Sequence, residues 1–349
     1  MVKNKPGHIL VIRLSAMGDV AMTVPVLIAL TQQHPKLKVT VLTRKFFAPM
    51  FESIPNLSVY EADVKGRHKG VFGLWKLYKE LLQLKIDAVA DLHNVLRSKV
   101  LKRYFQFGGI PVVQIDKGRA EKKALTSGNP KFFKPLKTTH QRYIDVFVKS
   151  GLPVDVSKKQ VLSKQRLSEK TLGLIGANSK KWIGIAPFAA FEGKTYPLEL
   201  MEEVVSELNE SEKYTIFLFG GGADQERTLE GFKKKFKNCL NLVGKLSFGE
   251  ELALISNLDL MLSMDSGNAH LAAMYGVPVV TLWGVTHPFA GFSPFGQDLD
   301  NALCSDRNTY PLIPTSVYGN KMPEGYEKAM HTILPKTVVD KLQLILDRD

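Results

Sequence analysis

The stretch Leu258 to Pro288 most restricts what this 349-residue chain can fold into. Leu258 to Met264 is an apolar run that ends at Asp265. Ser266-Gly267-Asn268-Ala269-His270 then opens a segment of small residues, with Ser266 in the N-cap role of a helix. Val277 to Leu282 is a second apolar run, closed by Gly284, Thr286 and Pro288. Strand, helix and strand in that order make one crossover unit of a parallel sheet. A strand feeding a glycine-bearing helix start presents unpaired backbone N–H groups and the positive end of a helix dipole, which suits a phosphate. An ordinary capped crossover unit satisfies the same residues.

The pattern repeats along the chain. In the N-terminal half, apolar runs at Ile9–Leu14, Lys38–Leu42, Leu57–Tyr60, Ala88–Asp91 and Val112–Ile115 read as strands. Helical patterns alternate with them over 19–33, from Phe46, over 71–84, near 97–105 and over 139–150. Lys117–Lys137, rich in Lys, Gly, Pro and Ser, reads as a loop. After the polar segment Ser157–Lys181 the alternation restarts. Strands are expected at 182–186, 215–219, 240–242, 258–263 and 279–282, with helices at 197–209, 223–236, 248–256 and 266–275. Two doubly wound α/β halves follow, over 1–160 and 175–330, with a last helix in 331–349 expected to pack back toward the first half. Ligands of open parallel sheets sit beyond the carboxyl ends of the strands. Asp19, Lys194, Gly220–Gly222 and Asp265 all follow expected strands.

Composition sets the class. Hydrophobic residues make up 44% and charged residues 23%, the balance of an ordinary globular protein. No apolar run approaches the ~20 residues of a membrane span. Arg13 and Asp19 interrupt the first apolar run, so it reads as a strand and not a signal peptide. Cys239 and Cys304 form neither a disulfide framework nor a metal pattern. The charge is uneven: residues 1–150 carry 26 Lys and Arg against 10 Asp and Glu, while the remainder carries 21 against 24. A basic half points to a polyanionic partner, whether nucleic acid, an anionic membrane surface or a phosphorylated substrate, or to a solubilising surface. Arg67-His68-Lys69 and Lys117-Gly118-Arg119 are basic loops that suit the phosphates or carboxylates of a ligand. Asp87, Asp91 and His93 read as a wall of the site and not as a metal centre. Gly220-Gly221-Gly222 lacks the spacing of a dinucleotide fingerprint, and no phosphate-binding P-loop sequence occurs.

Arg13, Ser15, Gly18 and Asp19 in the first turn, Asp265, Ser266, Gly267, His270, Leu271 and Ala273, and then Gly284, Thr286 and Pro288, together resemble the lipopolysaccharide heptosyltransferases, glycosyltransferase family nine. The resemblance runs from about residue 8 to about 345. It implies the glycosyltransferase B architecture, two Rossmann-like domains facing an interdomain cleft, and an inverting, metal-independent transferase with no cofactor. It makes Asp19 the general base, a task in tension with a helix start that stabilises its carboxylate. It sets Lys194 on the donor diphosphate and Glu226 near a ribose. Ala189 and Ala190 stand where relatives often carry Thr or Ser. Asp265 suits donor sugar hydroxyls, and Ser266 and Gly267 offer N–H groups to phosphate. His270 is either a donor contact or a packing residue. Ser15, Arg67, Lys69, Arg97 and Arg119 are the acceptor candidates. The implied partners are an ADP-sugar donor and an anionic lipid-linked saccharide at the cytoplasmic face of the inner membrane, with peripheral contact to anionic lipid. Two other readings stay open within the architecture: a relative using another nucleotide sugar, and a non-hydrolysing nucleotide-sugar epimerase. Outside it stand a basic nucleic-acid-binding α/β protein, which the lack of aromatic platforms between basic residues disfavours, and a catalytically silent membrane-surface scaffold.

Overall fold

The computed structural model describes residues 5–128, 132–158, 160–176 and 179–347. The chain divides into two compact units. The first comprises Met1–Gly118 and Lys137–Leu162, the second Arg119–Leu136 and Ser163–Asp349.

The chain begins with β1 (His8–Ile12), α1 (Met17–Ala21), α2 (Val24–Gln33), β2 (Lys38–Thr43) and β3 (Leu57–Glu61). It continues with α3 (Gly70–Leu82), β4 (Ala88–Asp91), α4 (Leu96–Phe107) and β5 (Val112–Gln114). Next come α5 (Arg119–Leu125), which belongs to the second unit, and α6 (Thr139–Lys149), which returns to the first. The first sheet is wholly parallel in the order β3-β2-β1-β4-β5. Val39, Val41, Ile9, Leu10, Val11 and Ile12 are fully buried in it, as apolar runs sandwiched between helices require. The single helix expected over 19–33 is two. Pro25 lacks the N–H that an interior turn needs, so the helix stops at Ala21 and restarts with the proline in its first turn.

The second unit adds α7 (Glu169–Ile175), β6 (Lys181–Ala186), α8 (Leu198–Glu210), β7 (Tyr214–Leu218), α9 (Ala223–Lys235) and β8 (Cys239–Asn241). It closes with α10 (Phe248–Ile255), β9 (Leu260–Met264), α11 (Gly267–Ala273), β10 (Val279–Trp283), β11 (Ala302–Cys304) and α12 (Pro335–Leu346). Its sheet is also parallel, in the order β11-β10-β9-β6-β7-β8.

Two readings from sequence are corrected here. The segment Lys117–Lys137 is not all loop: Arg119-Ala-Glu-Lys-Lys-Ala-Leu125 winds into α5, since Ala, Leu, Lys and Glu are good helix formers despite their basic surroundings. Its residues 129–131 lie outside the described ones. Ser157–Lys181 likewise holds α7, capped by Ser168, whose hydroxyl accepts from the Thr171 N–H; residues 159, 177 and 178 of it are outside the described ones. Val338, Val339, Leu342 and Leu346 of α12 are buried among Ile183, Met201, Val204 and Leu208, inside the core of the second unit.

In each sheet two neighbouring strands send their connections in opposite directions: β1 and β4 in the first, β6 and β9 in the second. The crevice beyond the carboxyl ends of such a pair is where open parallel sheets bind ligands. Both switch points are occupied by residues with chemistry to offer.

Candidate functional site

At the first switch point, the turn after β1 carries Arg13 to Asp19. Arg13 is 5% exposed, and its guanidinium donates to an Asp19 carboxylate oxygen at 2.6 Å and to the Leu92 carbonyl beyond β4, also at 2.6 Å. Burial opposes the guanidinium's charge, but Tyr143 and Asp19 beside it outweigh that and hold its pKa above the ordinary arginine value. Asp19 lies in the first turn of α1, where it also accepts from the Ala16 N–H at 3.3 Å. Its backbone carbonyl accepts from the Tyr143 hydroxyl of α6 at 3.1 Å. The Asp19 side chain is nonetheless 30% exposed, so a carboxylate held by Arg13 and the Ala16 N–H still faces solvent.

Ser15 sits in the same turn, and its hydroxyl is 3.3 Å from Nε2 of His93, which follows β4. This contact bridges the two strands of the switch point. Burial first, then the positive charges of Arg13 and Lys117, push the His93 pKa down to about 4, so the ring is neutral at physiological pH. Arg44 donates from Nε to the Leu14 carbonyl at 2.9 Å and braces the turn from β2.

The wall assigned to Asp87, Asp91 and His93 separates into different things. Asp87 precedes β4 and accepts from the N–H groups of Gly7 and His8 at 2.9 and 2.7 Å, at the amino end of the sheet. Asp91 is fully buried and spends its oxygens on the N–H groups of His93 and Asn94 and on the Gln114 amide. Only His93 of the three reaches the turn that holds Asp19.

At the second switch point, Lys194 follows β6 and Asp265 follows β9. The Lys194 ammonium and an Asp265 oxygen are 2.8 Å apart, both side chains largely buried. The same Asp265 oxygen accepts from the Thr286 hydroxyl at 2.9 Å, and Thr286 follows β10. Three consecutive switch-side strands thus converge on one carboxylate. The backbone stitches the loops together, with the Val285 N–H donating to the Gly193 carbonyl at 2.8 Å. Gly284 is there because nothing larger fits: a Cβ on it would lie 2.2 Å from that carbonyl oxygen. Gly319, at φ +77°, lets its own backbone pack on the Lys194 stem.

Ser266 holds the N-cap position of α11, but its hydroxyl does not cap the helix; it is 3.0 Å from the Ser263 hydroxyl. Gly267 begins α11, and His270 lies buried on it. Glu226 is exposed in α9, one turn past the cap Gly222, beyond β7, the strand that neighbours β6. The glycine run keeps one of its N–H groups occupied: Gln225, the residue that breaks the dinucleotide spacing, accepts from Gly221 at 2.9 Å.

Of the acceptor candidates, Arg67, Lys69 and Arg97 all lie in the first unit, after the carboxyl ends of β3 and β4. Arg67 is half-exposed and pairs with Glu80 at 3.2 Å. Lys69 and Arg97 are exposed, at the start of α3 and of α4. His68 between the first two is a structural residue, fully buried with its ring nitrogens on Glu80 and the Asp63 N–H. Arg119 begins α5 and belongs to the second unit. Among the described residues no group of three or more His, Cys, Asp or Glu is arranged to hold a metal ion. Sequence reasoning missed Tyr143, Arg44 and the partnership of His93 with Ser15. The adjacency of β1 and β4 was the one signal available, and it is a topological one.

Two doubly wound parallel units, each with polar residues gathered at its switch point, define the glycosyltransferase B class of fold. Residues 74–314 match the model of glycosyltransferase family 9 (heptosyltransferase), and the chain belongs to that family: it is a glycosyltransferase. Its relatives include the lipopolysaccharide core heptosyltransferase OpsX of Haemophilus influenzae, 26% identical over 85% of this chain and 84% of the relative. In structure it is similar to a family 9 glycosyltransferase of Veillonella parvula, with a TM-score of 0.76, 22% identity and 98% of both chains covered. It is also similar to an Escherichia coli heptosyltransferase solved with ADP-2-deoxy-2-fluoro heptose, with a TM-score of 0.65, 18% identity, and 98% of this chain and 100% of that one covered.

Proposed function

We propose that the chain moves heptose from ADP-heptose onto the inner core of a lipopolysaccharide precursor, as an inverting and metal-independent transferase at the cytoplasmic face of the inner membrane. The family membership carries the reaction class. The name of the Haemophilus relative supplies the lipopolysaccharide core, and the ligand of the Escherichia coli relative supplies the activated sugar.

The observation that favours donor binding in the second unit is the buried Lys194–Asp265 pair at its switch point. When the donor enters, the ammonium shifts part of its interaction to a diphosphate oxygen and offsets the charge that grows as ADP leaves. Both known bonds to Asp265 use Oδ2, which leaves Oδ1 to accept from a sugar hydroxyl. Ser266 and Gly267 offer backbone N–H groups nearby, and Glu226 and His270 remain candidates on the donor side.

In the first unit Asp19 takes the acceptor proton. An acceptor hydroxyl oxygen attacks the anomeric carbon, the bond from that carbon to the phosphate oxygen breaks, and the hydroxyl proton passes to the carboxylate. One displacement inverts the anomeric centre. Ser15, Arg67, Lys69 and Arg97 orient the phosphorylated or carboxylated acceptor around that carboxylate.

The test is transfer measured with ADP-heptose, and with UDP- and GDP-sugars in parallel, in excess chelator. Retained transfer from ADP-heptose alone, with inverted product, is the expected result. Transfer that stops with chelator and returns with magnesium would refute the metal-independent reading, and a preference for UDP- or GDP-sugars would refute the donor.

A further inference from the structure

The first unit carries 23 Lys and Arg against 10 Asp and Glu, and the second 24 against 24, so the whole net charge of +13 belongs to the first. Within it the imbalance is steepest from residue 65 to 107, with 10 basic residues and three acidic ones. None of those three acids offsets the surface charge freely. Glu80 is shared among Tyr60, Arg67 and His68, Asp87 is tied to backbone N–H groups, and Asp91 is fully buried.

This basic stretch also exposes large apolar side chains. Phe72 is 91% exposed, Leu96 78% and Phe107 88%, with Val71 and Trp75 exposed beside Phe72. They are not scattered. Val71, Phe72 and Trp75 fall one turn apart on α3. Leu96, Val100, Arg103 and Phe107 share one stripe of α4 at helical spacing. The two helices lie side by side, with the Trp75 and Tyr104 rings 5.1 Å apart and the Tyr104 hydroxyl donating to the Val71 carbonyl at 3.3 Å. The Lys79 ammonium sits 5.6 Å from the centre of the Trp75 ring, and Lys69, Lys76, Lys99 and Arg103 are exposed around the patch. Exposed aromatics ringed by lysine and arginine are a poor surface for water alone and a good one for the boundary of an anionic bilayer, where rings enter the acyl edge and cations meet headgroups.

We infer that the outer face of α3 and α4 rests on an anionic lipid surface, both helices lying along it. Both begin at the carboxyl ends of their strands, as does the turn that holds Asp19, so the docked face would bring that end of the sheet to a lipid-linked acceptor. This rests on the reading of the acceptor as lipid-linked.

The test is co-sedimentation of the full chain with vesicles of phosphatidylcholine, with and without about a third phosphatidylglycerol. The chain is expected to partition onto the anionic vesicles, and to release between low and moderate salt as the Debye length falls to ~8 Å. Phe72→Ser with Trp75→Ser should weaken partitioning about tenfold, and Lys76→Glu with Lys79→Glu by as much or more. Lys36→Glu with Lys38→Glu, at the amino end of the same sheet, should leave it unchanged, and ADP binding and thermal unfolding serve as checks of folding. No binding to anionic vesicles, equal binding to neutral ones, or no effect of the α3 changes overturns the inference. A vesicle-independent dimer that Phe72→Ser with Trp75→Ser dissolves would assign the face to a second copy instead. Vesicle binding in a chain that transfers no heptose would keep the face and remove the function. Transfer to detergent-dispersed acceptor without vesicle binding would do the reverse.

Discussion

At the scale of single residues, Asp19 and Lys194 make the reading falsifiable because each has a defined partner. Asp19→Asn keeps an oxygen for Arg13 and so keeps the turn, but removes the basic carboxylate. Turnover should drop ~10²-fold or more while donor affinity stays put. Single-turnover rates together with calorimetric ADP binding decide this, and near-normal turnover would reduce Asp19 to a brace for Arg13. Asp19→Ala should behave differently. It leaves a buried guanidinium short of its counter-ion and should cost stability on the order of 3 kcal/mol as well as activity. Lys194→Ala removes the ammonium from the second switch point and should weaken ADP binding by about tenfold or more, the worth of a charge-assisted contact to phosphate. Unchanged ADP affinity would take Lys194 out of the donor site.

At the scale of elements, the joint between the β6 loop and β10 is the tightest packing near the site. Gly284→Ala forces a Cβ to within 2.2 Å of the Gly193 carbonyl oxygen and crowds the Met330 side chain. The loop carrying Lys194 has to move, at a cost of about 1–3 kcal/mol. Denaturant unfolding and ADP binding should both register it, and a variant as stable and as tight-binding as the parent would show the loop to be freely displaced. Most elements were legible in the sequence for a simple reason. Buried parallel strands such as β1, β7, β9 and β10 are largely apolar runs, and β9 and β10 stop directly at Asp265 and Gly284. Local composition misled where it averaged over function: the basic surroundings of α5 hid a run of helix formers, and Pro25 marked a restart inside what read as one helix. β11 was missed because three half-buried residues carry no period. In the site, the individual residues Asp19, Lys194 and Asp265 were legible but their partnerships were not. Arg13 meets Asp19 across a turn, and Lys194 meets Asp265 across two neighbouring strands. The first depends on how that turn closes and the second on strand order, and neither leaves a mark in local composition.

At the scale of the whole molecule, each unit holds a buried histidine that should make its stability depend on mild acid. His93 in the first unit and His287 in the second are both depressed to about 4. Burial is the main cause in each case, followed by Arg13 and Lys117 for His93 and by Arg307 for His287. In the unfolded chain both return to near 6.5. Between these values the unfolded state binds the extra proton, so unfolding free energy rises with pH across the window and is complete above 6.5. Acidification from 6.5 toward 4 withdraws it, by about 3 kcal/mol for each histidine if the whole shift is realised. His8, also lowered by burial, adds to the loss in the first unit. One carboxylate works against it: burial raises Glu251 of the second unit from 4.5 to about 7, so between those values the folded form holds the extra proton and acidification offsets the His287 loss. Carboxylates with lowered values, such as Glu250 at about 2, release their stabilisation only at still lower pH. Denaturant unfolding at intervals from pH 7.5 to 4.5 should therefore show the first unit losing roughly 1 kcal/mol per pH unit around pH 5.5, while the opposed shifts of His287 and Glu251 leave the second nearly level. His93→Gln should flatten the slope for the first unit, and His287→Gln should leave the second gaining stability on acidification. Stability of the first unit that stays level down to pH 5, or a slope that survives His93→Gln, would mean that the His93 ring takes up a proton in the folded protein. Ser15 would then face an imidazolium instead of a neutral ring beside Asp19.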